Sequence, residues 1–256
     1  MGDTDRPEWF WELAVAVNAA FKGLLGSMGE SGHICARTDA AQGEVPVEEG
    51  WPAAVERMVD LAAPYLQDGD VLVVADKVVA AALGRVGPGA VLAEPDPKTV
   101  PAAELGSVAE HWTSRLGFPV SVQHLLLADE YPEQRCTLGT DDPNLRCAEL
   151  ASAVRERLGR EVDCVISDTD TGLDTRTPLI GTLTIGATPI GASAGLNLYE
   201  AMRCAVAAEF ARGHRRRIPV VVCHPADRRR KRPGIGQQRS YTGFLDADRE
   251  PGLAHA

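Results

Sequence analysis

Apolar and polar positions along the chain form blocks that predict strands and helices in alternation. Short runs rich in Val, Ile and Leu predict strands, at 71–75, 120–127, 162–166, 179–187 and 218–223. Apolar positions at helical spacing predict helices, at 9–25, 51–66, 103–116, 145–158 and 198–212. The stretch 27–49 is rich in Gly and polar residues and predicts a loop. Strands that alternate with helices favour a mixed α/β (α+β) fold, with mixed sheets and flanking helices.

The same pattern predicts how the chain divides into domains. Residues 1–223 form one compact α/β domain in this interpretation, with a possible minor lobe around 85–135. From residue 224 the composition changes, and the run RRRKR at 228–232 marks a basic tail over 224–256. Such a basic run can bind phosphates, although more often its side chains are only solvated.

Composition narrows the class of protein. The 256 residues are 45% hydrophobic and 24% charged, as in ordinary soluble globular proteins. The net charge of -10 argues against a general nucleic-acid-binding protein. No apolar run approaches the roughly 18 residues of a membrane span, and no basic lead precedes the N-terminal apolar part, so neither a span nor a signal peptide is predicted. The six cysteines form no CxxC pair, which indicates free thiols in a cytoplasmic protein.

The most informative stretch is VDCVISDTDTGLDTR, at 162–176. Its apolar run ends in a block of carboxylates and hydroxyls that includes Asp168 and Thr169. Ligands of α/β proteins usually bind at the carboxyl ends of strands. Dense carboxylate and hydroxyl oxygens suit Mg²⁺ or Mn²⁺. The alternative is a polar turn whose Asp and Thr side chains bond only their own backbone.

Two cations and a second acidic loop are further candidates. Lys77 follows the strand predicted at 71–75, where a lysine can reach a phosphate as a point charge. A solvated lysine that opens the next helix is the alternative. Arg85 follows Gly84 and presents the same choice. The loop LGTDDPN at 138–144 holds two adjacent carboxylates.

Four segments, by their order and spacing, resemble the coenzyme F420-0:γ-glutamyl ligase family, which joins L-glutamate to a phosphodiester-bearing deazaflavin using GTP. The segments are DGDVLVVADKVVAAALGR (68–85), LGTDDPN (138–144), VISDTDTGLDTR (165–176) and EFARGHRRRIPVVV (209–222). The resemblance implies the fold of that family and a homodimer. In the family a nucleotide phosphorylates a carboxylate, and an amine attacks the resulting acyl phosphate.

The resemblance also implies which residues carry this chemistry. Divalent metals bridge phosphate oxygens and neutralise developing charge in such reactions. Asp141, Asp168 and Thr169 match the family's metal ligands. We therefore expect Mg²⁺ or Mn²⁺ at these three residues, and we expect Asp168, Asp141 and Lys77 to carry catalysis.

Further residues match positions that bind nucleotide or substrate. By resemblance, Lys77, Arg85 and Arg176 would contact phosphate as cations. Gly139 would let the backbone approach the ligand, and Asn144 would bond substrate or nucleotide. The cosubstrate would be GTP or ATP.

The chain departs from the family at several polar positions. Ala80 and Leu83 stand where the family has Ser and Glu, and Pro143 replaces another Ser. These differences favour a different acid and a different amine. The expected function is a nucleotide- and metal-dependent ligase that forms an amide bond through an acyl phosphate. It would join an amino acid to a small-molecule or peptide-like metabolite, without nucleic-acid or membrane partners.

Two other functions stay open. Asp168-Thr-Asp170-Thr resembles the DxDx(T/V) motif of haloacid-dehalogenase-like phosphatases, where Asp168 would attack phosphorus and Asp170 would act as acid/base. The late position of the motif and Gly172 at its fifth position count against this. The third possibility is a nucleotide-binding relative without catalysis. The loss of polar family positions supports it, and the retained Asp141, Asp168 and Thr169 oppose it.

Overall fold

The structure, a computed structural model, describes residues 37–93, 96–97, 99–168, 173–177, 181–185, 187–196, 198–212 and 218–225. Of 173–177 and 181–185 the backbone alone is described. The helix predicted at 9–25 and the basic run at 228–232 lie outside these residues. The described part is mixed α/β, with helices and mixed sheets, which confirms the predicted fold class at this level.

Within the described residues the α-helices are α1 (Trp51–Ala62), α2 (Asp76–Ala82), α3 (Leu105–Leu116), α4 (Val122–Leu126), α5 (Pro143–Leu158) and α6 (Leu198–Arg212). The strands are β1 (Arg37–Ala41), β2 (Val71–Ala75), β3 (Val86–Pro88), β4 (Asp129–Tyr131), β5 (Arg135–Thr137), β6 (Asp163–Asp168), β7 (Leu173–Thr177), β8 (Gly181–Ile185), β9 (Thr188–Ala192) and β10 (Val220–His224). No helix in this part of the chain is long and apolar enough to cross a membrane.

A five-stranded sheet in the order β1-β10-β2-β6-β9 forms the centre. Strands β2 and β6 run parallel, with Val73 opposite Val165, and the other neighbours are antiparallel. β2 is apolar throughout, and β6 is buried at every position. Strands of this kind have both faces covered, because an exposed face would carry polar residues at alternate positions.

Helices cover the two faces of the sheet. One face packs its apolar side chains on α1 and α5, and these include Leu72, Val74, Cys164, Ile166, Met58 and Leu150. The opposite face packs on α6, and its side chains include Val71, Val73, Val165, Val221, Ala205 and Ala208. Each fully buried Val, Leu or Ile stabilises the fold by about 1.5–3 kcal/mol relative to an exposed one, so the central strands hold the layers together.

A second, three-stranded sheet has the order β3-β5-β4. It belongs to a separate apolar cluster with α3 and α4, in which Trp112, Leu125 and Leu138 are buried. Strands β7 and β8 form a two-stranded antiparallel sheet. The described cysteines, Cys136, Cys147, Cys164, Cys204 and Cys223, are buried and free.

The prediction of a loop at 27–49 is wrong for its central residues. Strand β1 lies there and pairs antiparallel with β10. The sequence RTDAA has little β-preference of its own, so the partner strand supplies the ordering. His224 connects β1 at this edge of the sheet to Asp70. Its Nε2 lies 2.8 Å from Asp39 Oδ2, and its Nδ1 lies 3.0 Å from Asp70 Oδ2. His224, predicted as the first residue of the tail, is therefore the buried last residue of β10.

One predicted strand also needs correction, and another is confirmed. The apolar run 120–127 contains α4, because Ser121 caps a helical turn: its hydroxyl accepts from the His124 N–H at 3.2 Å. A short apolar run suits a buried helix as well as a strand, and here the cap decided. The strand predicted at 179–187 is confirmed as β8, and it ends before β9, which lies in a different sheet.

Gly191 tests how closely β9 approaches α5. A Cβ at Gly191 would lie 2.6 Å from the backbone carbonyl carbon of Pro143. We expect Gly191→Ala to lower the free energy of unfolding by about 1–3 kcal/mol, since backbone cannot yield to it cheaply. Chemical denaturation measures this change.

Gly106→Ala in α3 is the matched control. The added methyl would meet no neighbouring atom of the described part within 4 Å. We expect this variant to be more stable by about 0.5–1 kcal/mol, because alanine favours helix over glycine. Equal effects of the two substitutions would contradict the packing argument.

Candidate functional site

A small cleft opens at the carboxyl ends of β2 and β6. The parallel register places Ala75 opposite Ser167, so the residues that follow, Asp76 and Asp168, lie at neighbouring strand ends. The cleft is lined by Asp76, Lys77, Leu127, Asp129, Thr137, Ser167 and Asp168. Lys77 and Asp168, which come from two of the four segments of the family resemblance, thus meet at one place.

Asp76 is the first residue of α2 and is 5% exposed. Its Oδ1 accepts a hydrogen bond from the Thr140 backbone N–H at 3.1 Å and another from the Thr140 hydroxyl. Burial is the main cause that raises the pKa of Asp76 to about 7. The charges of Asp168 and Asp129 act in the same direction, and the bonds from Thr140 act against it. Asp76 therefore carries a proton part of the time near neutral pH.

Lys77 forms an ion pair with Asp129, between Nζ and Oδ2. The pair joins α2, which follows the central sheet, to β4 of the smaller sheet. The lysine side chain is 41% exposed and the aspartate side chain 22%. The Lys77 side chain is thus partly buried and partly exposed, and it can reach a ligand in the cleft.

Asp141 is engaged away from these lining residues. Its Oδ2 pairs with the Arg85 guanidinium, and its Oδ1 lies 2.9 Å from His124 Nε2. Arg85 also donates to the Pro119 carbonyl at 2.9 Å and lies 4.7 Å from the centre of the Phe118 ring. Burial lowers the pKa of Arg85, and Asp141 balances its charge. Arg85 and Asp141 therefore bind each other in this structure.

His124 holds this arrangement as a neutral ring. Its Nδ1 accepts from the Ser121 backbone N–H at 3.1 Å, so the ring proton lies on Nε2 and is donated to Asp141. Burial, with the charge of Arg85, lowers the pKa of His124 to about 4. The contact with Asp141 is thus a hydrogen bond from a neutral imidazole at physiological pH.

Gly139 and Asn144 make structural contacts. A Cβ at Gly139 would lie 2.8 Å from Leu127 Cδ1, so close packing beneath the cleft explains the glycine. Asn144 Oδ1 accepts from the Ala192 backbone N–H at 3.0 Å and joins α5 to β9. Their roles toward a ligand stay predictions. Thr169 and Asp170 lie outside the described residues, and of Arg176, in β7, the backbone alone is described.

The donors at the cleft suit a hard cation in type. Carboxylate oxygens of Asp76, Asp129 and Asp168 are what Mg²⁺ and Mn²⁺ prefer. In the described part, however, no three His, Cys, Asp or Glu side chains are grouped so as to hold a metal ion. The expected ligand Asp141 is occupied by Arg85.

Sequence reasoning missed three charged residues at or behind the cleft: Asp76, Asp129 and Arg212. Arg212 is buried at the end of α6 and donates to Ser167 Oγ at 3.0 Å and to the Val73 carbonyl at 3.1 Å. Burial lowers its pKa to about 10, so it stays charged at neutral pH. Of these three residues, only Asp76 could have been predicted from the sequence as a site residue, since it directly follows a buried strand.

Comparison with known proteins adds no family to this geometry. No protein-family model matches the chain, and no curated protein matches it. Any function therefore rests on the sequence motifs and on the chemistry of the cleft.

Asp76 should make the stability of the protein depend on pH. Its pKa is about 7 when folded and about 3.9 when unfolded, so between these values the folded state binds more protons. Stability should therefore fall as pH rises from about 4 to 7, by up to about 4 kcal/mol from this group.

Asp76→Asn removes the ionisation and keeps an oxygen that can accept from Thr140. We expect the variant to gain stability relative to wild type as pH rises through this window. Urea denaturation of both proteins at pH 4, 5.5 and 7.5 measures the difference. A difference that stays constant across these pH values would show that Asp76 ionises normally.

Proposed function

We propose that this chain is a nucleotide- and divalent-metal-dependent ligase that forms an amide bond through an acyl phosphate. It would join an amino acid to a small-molecule or peptide-like metabolite, on a fold like that of the coenzyme F420-0:γ-glutamyl ligase family. The observation that carries the proposal is that Lys77 and Asp168, from two separate segments of the resemblance, line the same cleft at the ends of parallel strands. The proposal extends to a cytoplasmic homodimer.

The charges at the cleft support roles for these two residues. Lys77 would bind a phosphate oxygen as a point charge, since its ammonium is partly exposed. Asp168, 9% exposed at the end of β6, would hold Mg²⁺ or Mn²⁺ together with Thr169. Such an ion, when bound, would neutralise charge on the transferred phosphate. Asp76 would fix the loop at 138–142 beside the cleft through its two bonds from Thr140.

Arg85 and Asp141 need an exchange of partners to take part. Each is bound to the other, and Arg85 is further held by the Pro119 carbonyl. A phosphate that approaches Arg85 would replace Asp141, which would then be available to a metal ion. The proposal therefore assigns the first contact with a ligand to Lys77 and Asp168.

A thermal-shift screen of GTP and ATP, each with Mg²⁺ or Mn²⁺, tests the nucleotide dependence. At roughly 100-fold excess over the dissociation constant, a ligand adds about 2.7 kcal/mol to the stability of the folded state. For a chain of this size that is a rise in Tm of about 5–10 °C. We expect such a metal-dependent rise with one nucleotide, and we expect Asp168→Asn to abolish it.

Asp68→Asn is the control, because Asp68 lies before β2, at the opposite end of that strand, and accepts from the Glu161 N–H. It should keep the full rise. If the Tm of wild type rises with no combination of nucleotide and metal, the ligase proposal is wrong. With binding shown, release of nucleoside diphosphate on addition of acid and amine mixtures separates a ligase from a binding protein.

Asp168 at the end of a buried strand would also suit a phosphatase nucleophile. Hydrolysis of p-nitrophenyl phosphate separates the two reactions. A phosphatase should lose this activity in Asp170→Asn, whereas a ligase should show no such hydrolysis and only weakened condensation.

A further inference from the structure

The ion pair of Lys77 with Asp129 lies at the cleft where solutes can reach it. Lys77 lies in α2, which follows β2 of the central sheet, and Asp129 lies in β4, so the pair joins a helix to the three-stranded sheet. Both side chains line the cleft and both are partly exposed. An anionic ligand that approaches Lys77 therefore competes with a carboxylate that is already there.

The charge around Lys77 increases this competition. Among the residues that line the cleft, Lys77 stands against the carboxyl groups of Asp76, Asp129 and Asp168. Arg85 is paired with Asp141, and Arg212, buried behind the cleft, donates to Ser167 and to the Val73 carbonyl. Like charges brought together across a binding surface repel each other, so a bare oxyanion is opposed at this cleft. A divalent cation bound with the oxyanion reverses the sign of the interaction with these carboxylates.

We propose that Asp129 is a specificity-determining residue that keeps uncomplexed oxyanions away from Lys77 and makes phosphate binding depend on a divalent cation. The proposal rests on the proposed function for the class of ligand, a phosphate-bearing molecule. It adds a residue outside the four segments of the family resemblance. It also gives the Lys77–Asp129 contact a role beyond joining α2 to the three-stranded sheet.

Binding of inorganic pyrophosphate, with and without Mg²⁺, tests the proposal by isothermal titration calorimetry. Wild type should bind pyrophosphate with Mg²⁺ and at least tenfold more weakly without it. Asp129→Asn should bind metal-free pyrophosphate about tenfold more tightly than wild type does, because one opposing charge and one competitor are removed. The gain from Mg²⁺ should shrink in this variant.

Glu130→Gln is the matched control. It makes the same change in net charge on the same strand, and Glu130 is exposed. Successive side chains of a strand point to opposite faces, so this substitution leaves Lys77 paired. It should bind pyrophosphate as wild type does. Thermal unfolding checks that both variants are folded, as expected for substitutions of similar shape outside the core.

The outcomes separate this inference from the proposed function. Unchanged metal dependence in Asp129→Asn, or an equal change in Glu130→Gln, overturns the inference and leaves the ligase proposal standing. If wild type binds pyrophosphate only with Mg²⁺ and Asp129→Asn relieves this requirement, while no nucleotide binds, the ligase proposal fails and the inference holds. If neither protein binds pyrophosphate under any condition, the inference fails, and the nucleotide screen alone decides the ligase proposal.

Discussion

The parallel pairing of β2 with β6 is the constraint on which the rest of the structure depends. Both strands are buried, and helices cover the sheet on either side. A parallel pair brings two carboxyl ends to the same edge, where helix and loop begin. Asp76 and Lys77 leave one strand there, and Asp168 ends the other. The cleft is therefore a consequence of the topology of the core.

Hydrogen bonds and ion pairs connect this edge to the three-stranded sheet and its loops. Asp76 binds Thr140, Lys77 pairs with Asp129, and Arg85 pairs with Asp141. Partly exposed ion pairs contribute little to stability, about 0–1 kcal/mol each. A buried carboxyl whose ionisation is opposed by two other carboxylates lowers stability at neutral pH. Such unfavourable electrostatics concentrate at functional sites, which favours this edge of the sheet as the site.

Some elements could be predicted from the local sequence pattern, whereas others depend on tertiary contacts. The strand at 71–75 and the helix at 198–212 follow from composition and periodicity, and both have these bounds in the structure. Strand β1 carries no such signal, because pairing with β10 orders it. The run at 120–127 was ambiguous by composition, and Ser121 decided in favour of a helix. The ion pair of Asp129 carried no local signal, because its partner Lys77 lies far away along the chain.

By itself, the sequence determined the alternation of strands and helices, the apolar strands that must be buried, and the places of Lys77 and Asp168 at the ends of two such strands. These follow from local periodicity and from the cost of exposing apolar side chains. Only the tertiary structure decided which charges meet: Asp129 at Lys77, Arg85 at Asp141, and Thr140 at Asp76. Pairing depends on distances between residues far apart in the chain, and no local pattern encodes those distances.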